Sequence, residues 1–380
     1  MSAAPYFFDP ASGKSYPLQD VRWCSDDQRP LLISDLPGIT ADDIQRDVHS
    51  LWRYQASLPL PIASPVTLGE GLSPLVEMRW GTLRPKFKLD WFNPTCSFKD
   101  RGSSVMVSHL KQIGVERILE DSSGNGGASV AAYGAAAGIS VKILCPESVS
   151  PTKVVQMQAF GAEVELIPGS REATQAAAVA QSAEIFYASH NWHPFFLQGT
   201  KTIAYEIWES LGFRAPNNVI MPVGAGSSLL GCHIGFGELL RAGQIKRMPR
   251  LFATQPLNCS PIDAHFHAAA GGSTDRPVRP TIAEGTAISQ PLRLKEILHA
   301  IRNSGGSTVA IEDRDILSTT HRLARHGLLV EPTSASAAAG LDILMNRGEL
   351  REEEETIVLL TGTGAKTPQA FSPQLQETSK

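Results

Sequence analysis

Lys99 sits in the segment Asn93-Pro94-Thr95-Cys96-Ser97-Phe98-Lys99-Asp100-Arg101-Gly102. The run Lys86 to Trp91 before it predicts a strand, and a helix is predicted to start at the lysine. A lysine held at such a junction cannot roam as a surface lysine does. Desolvation there lowers its pKa and makes its amine a nucleophile and base. Glycine-rich loops downstream give that amine company. Ser122-Ser123-Gly124-Asn125-Gly126-Gly127-Ala128-Ser129 lies between a predicted strand and an alanine-rich helix. Unpartnered N–H groups at a helix start attract anions, and glycines let a ligand reach the backbone. An amino-acid carboxylate suits this place, although a plain strand-to-helix turn would read the same way.

Gly224-Ala225-Gly226-Ser227-Ser228 follows an apolar run and precedes a helix, a composition suited to cradling phosphate. A dinucleotide fold does not account for it. The spacing is not GxGxxG, and the next strand runs into Gln255 rather than an acid for a ribose. Gly199-Thr200-Lys201-Thr202 lacks the upstream glycine of a P-loop. Thr361-Gly362-Thr363-Gly364-Ala365-Lys366 follows the last core strand, Thr356 to Leu360. Hydroxyls at the carboxyl end of a parallel strand lie where open α/β sheets bind ligands, and a glycine-rich exit turn is the plainer alternative.

These loops need a scaffold of strands alternating with helices. Short apolar runs at Arg117 to Glu120, Val141 to Cys145, Glu163 to Ile167, Ile185 to Ala188, Val219 to Val223 and Arg250 to Thr254 read as strands. Helical stretches separate them, at Ala128 to Ala137, Thr152 to Phe160, Glu172 to Ala183, Thr200 to Leu211 and Ser228 to Leu240. Further helices are predicted at Leu292 to Ile301, Asp313 to His326 and Ala335 to Met345, and a loop at Gly271 to Pro280. The alternation predicts an α/β protein of two domains, each with an open, mostly parallel twisted sheet flanked by helices. Residues 1–50 read as irregular, 51–98 with 192–380 as a large domain, and 99–191 as a smaller domain inserted in it.

At 380 residues the chain can bury a large core in each domain. Its net charge is −4 with no basic block, which argues against nucleic-acid binding. No apolar run reaches membrane-spanning length. Five scattered cysteines without a CxxC pair, and an N-terminus without signal-peptide features, read as a cytoplasmic protein with reduced thiols.

Taken in order, the motifs resemble the fold type II (tryptophan synthase β-like) family of pyridoxal-phosphate enzymes, and within it the threonine synthases. The similarity runs from Leu68 to Lys366. It includes Leu68-Gly69-Glu70-Gly71-Leu72-Ser73-Pro74-Leu75 as the entry motif and Glu331-Pro332-Thr333-Ser334-Ala335 ahead of the last loop. The resemblance implies pyridoxal 5′-phosphate as cofactor, carried by Lys99 as a Schiff base. It implies Asn125 at the cofactor's 3′ oxygen and Gly224, Ala225, Gly226, Ser227 and Ser228 at its phosphate. Thr361 would face the pyridine nitrogen, and Ser122, Ser123 and Gly126 the substrate carboxylate. A hydroxyl at the pyridine nitrogen makes a gentler electron sink than a carboxylate, which elimination and replacement chemistry tolerates. The implied reaction is elimination of a side-chain group from a small L-amino acid followed by addition of water. Ammonia-lyase chemistry on serine, threonine or diaminopropionate, a cysteine- or cysteate-synthase-like β-replacement, and a non-catalytic binding or regulatory role remain as alternatives. A homodimer is implied as well.

The chain departs from that pattern in three places. In a segment similar to a degraded zinc ribbon, Tyr6 to Ile33, only Cys24 remains of the possible ligands, so no metal is expected. Cys96 stands where glycine is common and reads as a small packed residue. Threonine synthases carry an Asn-Ser pair and an arginine that meet the substrate's phosphate. Here the pair becomes His190-Asn191 and the arginine becomes Phe196. A phenyl ring cannot neutralise a dianion. Either Lys201 or His193 takes over, or the leaving group is not phosphate. Trp192 to Phe196 also reads as packing behind the cofactor.

Overall fold

The computed structural model describes residues 4–122, 124–149, 151–268 and 273–372. The chain opens with β1 (Tyr6–Phe8), β2 (Ser15–Pro17) and β3 (Leu32–Ile33), followed by β4 (Leu75–Glu77), β5 (Lys86–Leu89) and α1 (Lys99–Gln112). It continues through β6 (Arg117–Glu120), α2 (Asn125–Ala137), β7 (Ser140–Pro146), α3 (Pro151–Ala159), β8 (Glu163–Ile167), α4 (Arg171–Gln181) and β9 (Phe186–Tyr187). Then come α5 (Pro194–Thr200), α6 (Thr202–Ser210), β10 (Asn218–Pro222), α7 (Ser227–Arg241), β11 (Arg250–Pro256) and α8 (Pro261–Ala268). The last elements are α9 (Leu294–Asn303), β12 (Thr308–Ile311), α10 (Asp313–Arg325), α11 (Pro332–Asn346) and β13 (Thr356–Leu360).

Two compact units emerge. The first comprises Met1–Leu72, Asn93–Thr95 and Lys99–Thr202; the second comprises Ser73–Phe92, Cys96–Phe98 and Ile203–Lys380. Within the first, a four-stranded parallel sheet runs β8-β7-β6-β9. Its core joins Val105, Met106 and Leu110 of α1 with Val130 and Tyr133 of α2 and with Phe195 and Phe196 of α5. The first fifty residues, predicted to be irregular, carry a small antiparallel sheet, β2-β1-β3. Buried Asp9 accepts from the Ala11 N–H, the Ser12 hydroxyl and Arg29 Nε, which closes this turn by hydrogen bonding. Among the described residues no group of three or more His, Cys, Asp or Glu is placed to hold a metal.

The second unit holds a six-stranded sheet in the order β12-β11-β10-β13-β5-β4, parallel except for the edge strand β4. Every residue of β10 and β13 is buried, as central parallel strands covered on both faces require. The strands β4 and β12 and the helix α8 have no counterpart in the sequence reading; β4 and β12 are too short for a clear period. The helix predicted from Thr200 to Leu211 is α6, Thr202–Ser210, and a further helix without a counterpart in the sequence reading, α5, precedes it with Pro194 at its first position. No helix among the described residues is long and apolar enough to cross a membrane.

Candidate active site

In the second unit, β10, β13 and β5 are neighbouring parallel strands, and each sends a motif from its carboxyl end. After β10 comes Gly224 to Ser228. Gly226 adopts φ +90° and ends at the first turn of α7, where a Cβ would collide with Ile297. A Cβ on Gly224 would come within 2.9 Å of Thr286 Cα. Ser227 and Ser228 are buried, and no acidic residue occupies the first turn of α7. The bare glycine backbone and two hydroxyls at a helix start suit a phosphate.

After β13 comes Thr361. Its hydroxyl lies 3.0 Å from that of Ser334, which also accepts the N–H groups of Thr361 and Gly362 at 2.9 and 2.7 Å. Ser334 therefore sets where the Thr361 hydroxyl points. After β5 the chain reaches Phe98, whose N–H donates to the Thr361 carbonyl at 2.9 Å. Lys99 is the next residue and the first of α1.

The first unit holds the other residues singled out in the sequence. Asp100, fully buried, accepts the Thr95 N–H and hydroxyl at 2.6 Å each and the Ser129 hydroxyl at 2.6 Å. It thus fastens the start of α1, beside Lys99, to α2. Glu70 of the entry motif is buried and takes hydrogen bonds from Ser104 of α1, Tyr133 of α2 and the Trp52 indole. Gly71 donates to Asn93 Oδ1 at 2.9 Å. Glu70 therefore braces both helices.

The loop before α2 starts at buried Ser122, and Asn125 is the helix's first residue; Ser123 lies outside the described residues. The N-cap residue, Gly124, supplies no side-chain cap to this helix, and a helix start of this kind suits an anion. A Cβ on Gly127 would strike the Ser122 carbonyl, and one on Gly126 would come within 2.7 Å of His190 Cε1. His190 follows β9, the neighbour of β6, and so stands beside Glu120 at the end of that strand. Its Nδ1 is 3.1 Å from Glu120 Oε1, and its backbone N–H donates to Oε2 at 3.1 Å. Burial pushes the Glu120 carboxyl up, opposed by the N–H groups of His190 and Asp121. Burial first, then the charge of Lys99, pushes the His190 imidazole well below its usual range. Asn191 is half-buried beside it, its N–H 3.4 Å from the Ser189 hydroxyl.

Phe196 is fully buried against Gly102 of α1, where a Cβ would meet its ring at 2.5 Å. The Lys99 Nζ and the His190 ring each lie 5.6 Å from the Phe196 ring centroid. Neither cation considered as a substitute arginine is presented there. Lys201 is buried and donates to the Ser57 carbonyl at 2.6 Å, and His193 packs among the rings of His109, Phe186 and Phe195. Cys96 is exposed and adopts φ +61°, which corrects its reading as a packed residue. The glycine usual at its position answers to backbone conformation.

Spacing alone assigns no role to Asp100, Glu120 or Ser334. Asp100 and Ser334 lie inside longer motifs without a pattern of their own, and Glu120 ends a strand with no acid at a telling distance.

This site and fold define the class. Residues 66–362 match the family model described as pyridoxal-phosphate dependent enzyme, and the chain belongs to that family, with pyridoxal phosphate as its cofactor. Its fold is that of the fold type II members. Over 347 residues it is 33% identical to the threonine synthase of Methanosarcina acetivorans, covering 89% of this chain and 85% of that one. It is 34% identical to the threonine synthase of Methanocaldococcus jannaschii over 87% of this chain and 84% of that one. Among solved structures, O-ureido-L-serine synthase superposes with a TM-score of 0.67 at 19% identity, covering 84% of this chain and 97% of that one.

Proposed function

We propose that this enzyme is a threonine synthase-like lyase that removes a side-chain substituent from a small L-amino acid. The observation that carries the reading is Lys99 as the first residue of α1, directly after a segment hydrogen-bonded to Thr361. Lys99 would hold the cofactor, Asn125 its ring oxygen, Gly224 to Ser228 its phosphate and Thr361 its pyridine nitrogen. Bound pyridoxal phosphate supplies an electron sink next to the substrate's α carbon. The N–H groups and hydroxyls from Ser122 to Gly126 bind and orient the substrate carboxylate. The Lys99 amine takes the α proton, and its place at the first residue of α1 keeps it in reach of that atom. The Phe196 ring excludes water from the side-chain end.

Phe196 in place of an arginine favours a second reading, β-elimination of an uncharged group in the manner of an ammonia-lyase. A substrate panel tests both. Phosphate from O-phosphohomoserine supports the first reading. Keto acid and ammonia from serine, threonine or diaminopropionate support the second. A wild-type protein that takes up no pyridoxal phosphate, or a Lys99→Ala variant that keeps its visible absorbance, would sink both.

The proposal extends to a cytoplasmic homodimer, which sedimentation of the purified holoenzyme checks. The five free cysteines agree with a reducing compartment.

A further inference from the structure

The pair at the ends of β6 and β9 has no role in cofactor binding, yet it stands at the substrate loop. Glu120 is fully buried and His190 nearly so. Both Glu120 oxygens face Nδ1, at 3.1 and 3.2 Å, while among the described residues Nε2 has no hydrogen-bond partner. The neighbouring charges are accounted for. Asp121 is paired with Arg171 at 2.8 Å, and Lys99, 5.6 Å from the Phe196 ring centroid, is within electrostatic reach of His190. Burial disfavours charge on either group. With Glu120 protonated, its proton points at Nδ1 and the ring carries its own proton on Nε2.

We propose that Glu120 and His190 form a proton relay to the departing side-chain group of the substrate, a hydroxyl or a neutral amine; this rests on the elimination reading above. Lys99 takes the α proton, and the electron pair left behind forms the Cα–Cβ double bond. As the Cβ–O or Cβ–N bond breaks, the leaving atom keeps that bonding pair and takes the Nε2 proton. Nδ1 takes the Glu120 proton, so water or ammonia departs and a carboxylate beside a neutral imidazole remains. Solvent returns one proton to the pair and accepts one from Lys99. Hydroxide and amide are poor leaving groups without such a proton. Phosphate needs none, and the site offers it Phe196 rather than a cation.

The test compares leaving groups in the holoenzyme. β-Chloroalanine loses chloride, which needs no proton. His190→Gln and Glu120→Gln are expected to lose about 100-fold or more in kcat on the hydroxyl or amino substrate, but less than roughly fivefold on β-chloroalanine, in line with general-acid contributions. Retained β-chloroalanine turnover also shows that the variants fold. An independent readout is the ring-nitrogen NMR of His190, expected to report the Nε2–H tautomer in wild type and in Glu120→Gln. Equal losses on both substrates, no loss on either, or an Nδ1–H tautomer would overturn the relay. So would a wild-type enzyme that acts on β-chloroalanine or O-phosphohomoserine but on no hydroxyl or amino substrate; elimination itself would stand in that case. A wild type inactive on all of them removes the elimination reading, and the relay with it.

Discussion

The hydroxyl of Ser334 sits 3.0 Å from that of Thr361 while accepting the two N–H groups of residues 361 and 362. Ser334→Ala leaves those buried donors without their acceptor. The expected cost is about 1–3 kcal/mol of stability, read by urea denaturation. A loosened Thr361 should also hold the cofactor less well, by about tenfold or more if some 1.4 kcal/mol of the loss falls there. Titration of apoprotein with pyridoxal phosphate, followed by visible absorbance, measures it. Unchanged affinity would mean that Thr361 is positioned by its backbone alone.

Gly127 has no room for a side chain, because a Cβ would strike the Ser122 carbonyl, with Met157 Sδ 2.9 Å away. Gly127→Ala must push the start of α2 away from Ser122. A displacement of that kind is expected to lower kcat/KM by about 100-fold. The visible absorbance of the resting holoenzyme should persist with a shifted maximum, since Asn125 moves with the start of α2 while Lys99 and Gly224 to Ser228 are untouched. Complete loss of absorbance would show that the start of α2 is needed to hold the cofactor at all.

The division between these loops explains what the sequence could disclose. Glycines at 126, 127, 224 and 226 are legible because only glycine fits a collision or a positive φ, and such positions cluster at ligand loops. The central strands β10 and β13 are legible as unbroken apolar runs. What escapes is anything that depends on a partner distant in the chain. Glu70 acquires its meaning from Ser104 and Tyr133, and Glu120 from His190, seventy residues later. The small sheet β2-β1-β3 escaped because strands of two or three residues have no period to detect.

Cys96 provides a test of local strain. At φ +61° its Cβ crowds the backbone, and the side chain is exposed, so little packing is lost on removing it. A left-handed residue other than glycine costs roughly 1–2 kcal/mol. The greater freedom of glycine in the unfolded chain returns roughly 0.4–1 kcal/mol of this. Cys96→Gly is therefore expected to raise stability by about 0.5–1 kcal/mol by urea denaturation. Destabilisation would show that the thiol makes a contact that matters.

His109 links stability to pH. It lies buried in α1, stacked on Phe195 with ring centroids 3.7 Å apart, and its Nδ1 has no hydrogen-bond partner among the described residues. Burial lowers its pKa to about 4, against about 6.5 in the unfolded chain. Between those values the unfolded chain binds a proton that the folded one refuses. The stability from the neutral ring is therefore complete above about pH 6.5 and is lost as pH falls towards 4, at up to about 1.4 kcal/mol per pH unit and about 3 kcal/mol in all. His109→Phe keeps an aromatic ring against Phe195 but cannot ionise. Its stability should fall less steeply than wild type as pH drops from about 6.5 to 4, by urea midpoints across that range. Parallel curves for the two proteins would show that His109 already ionises in the fold.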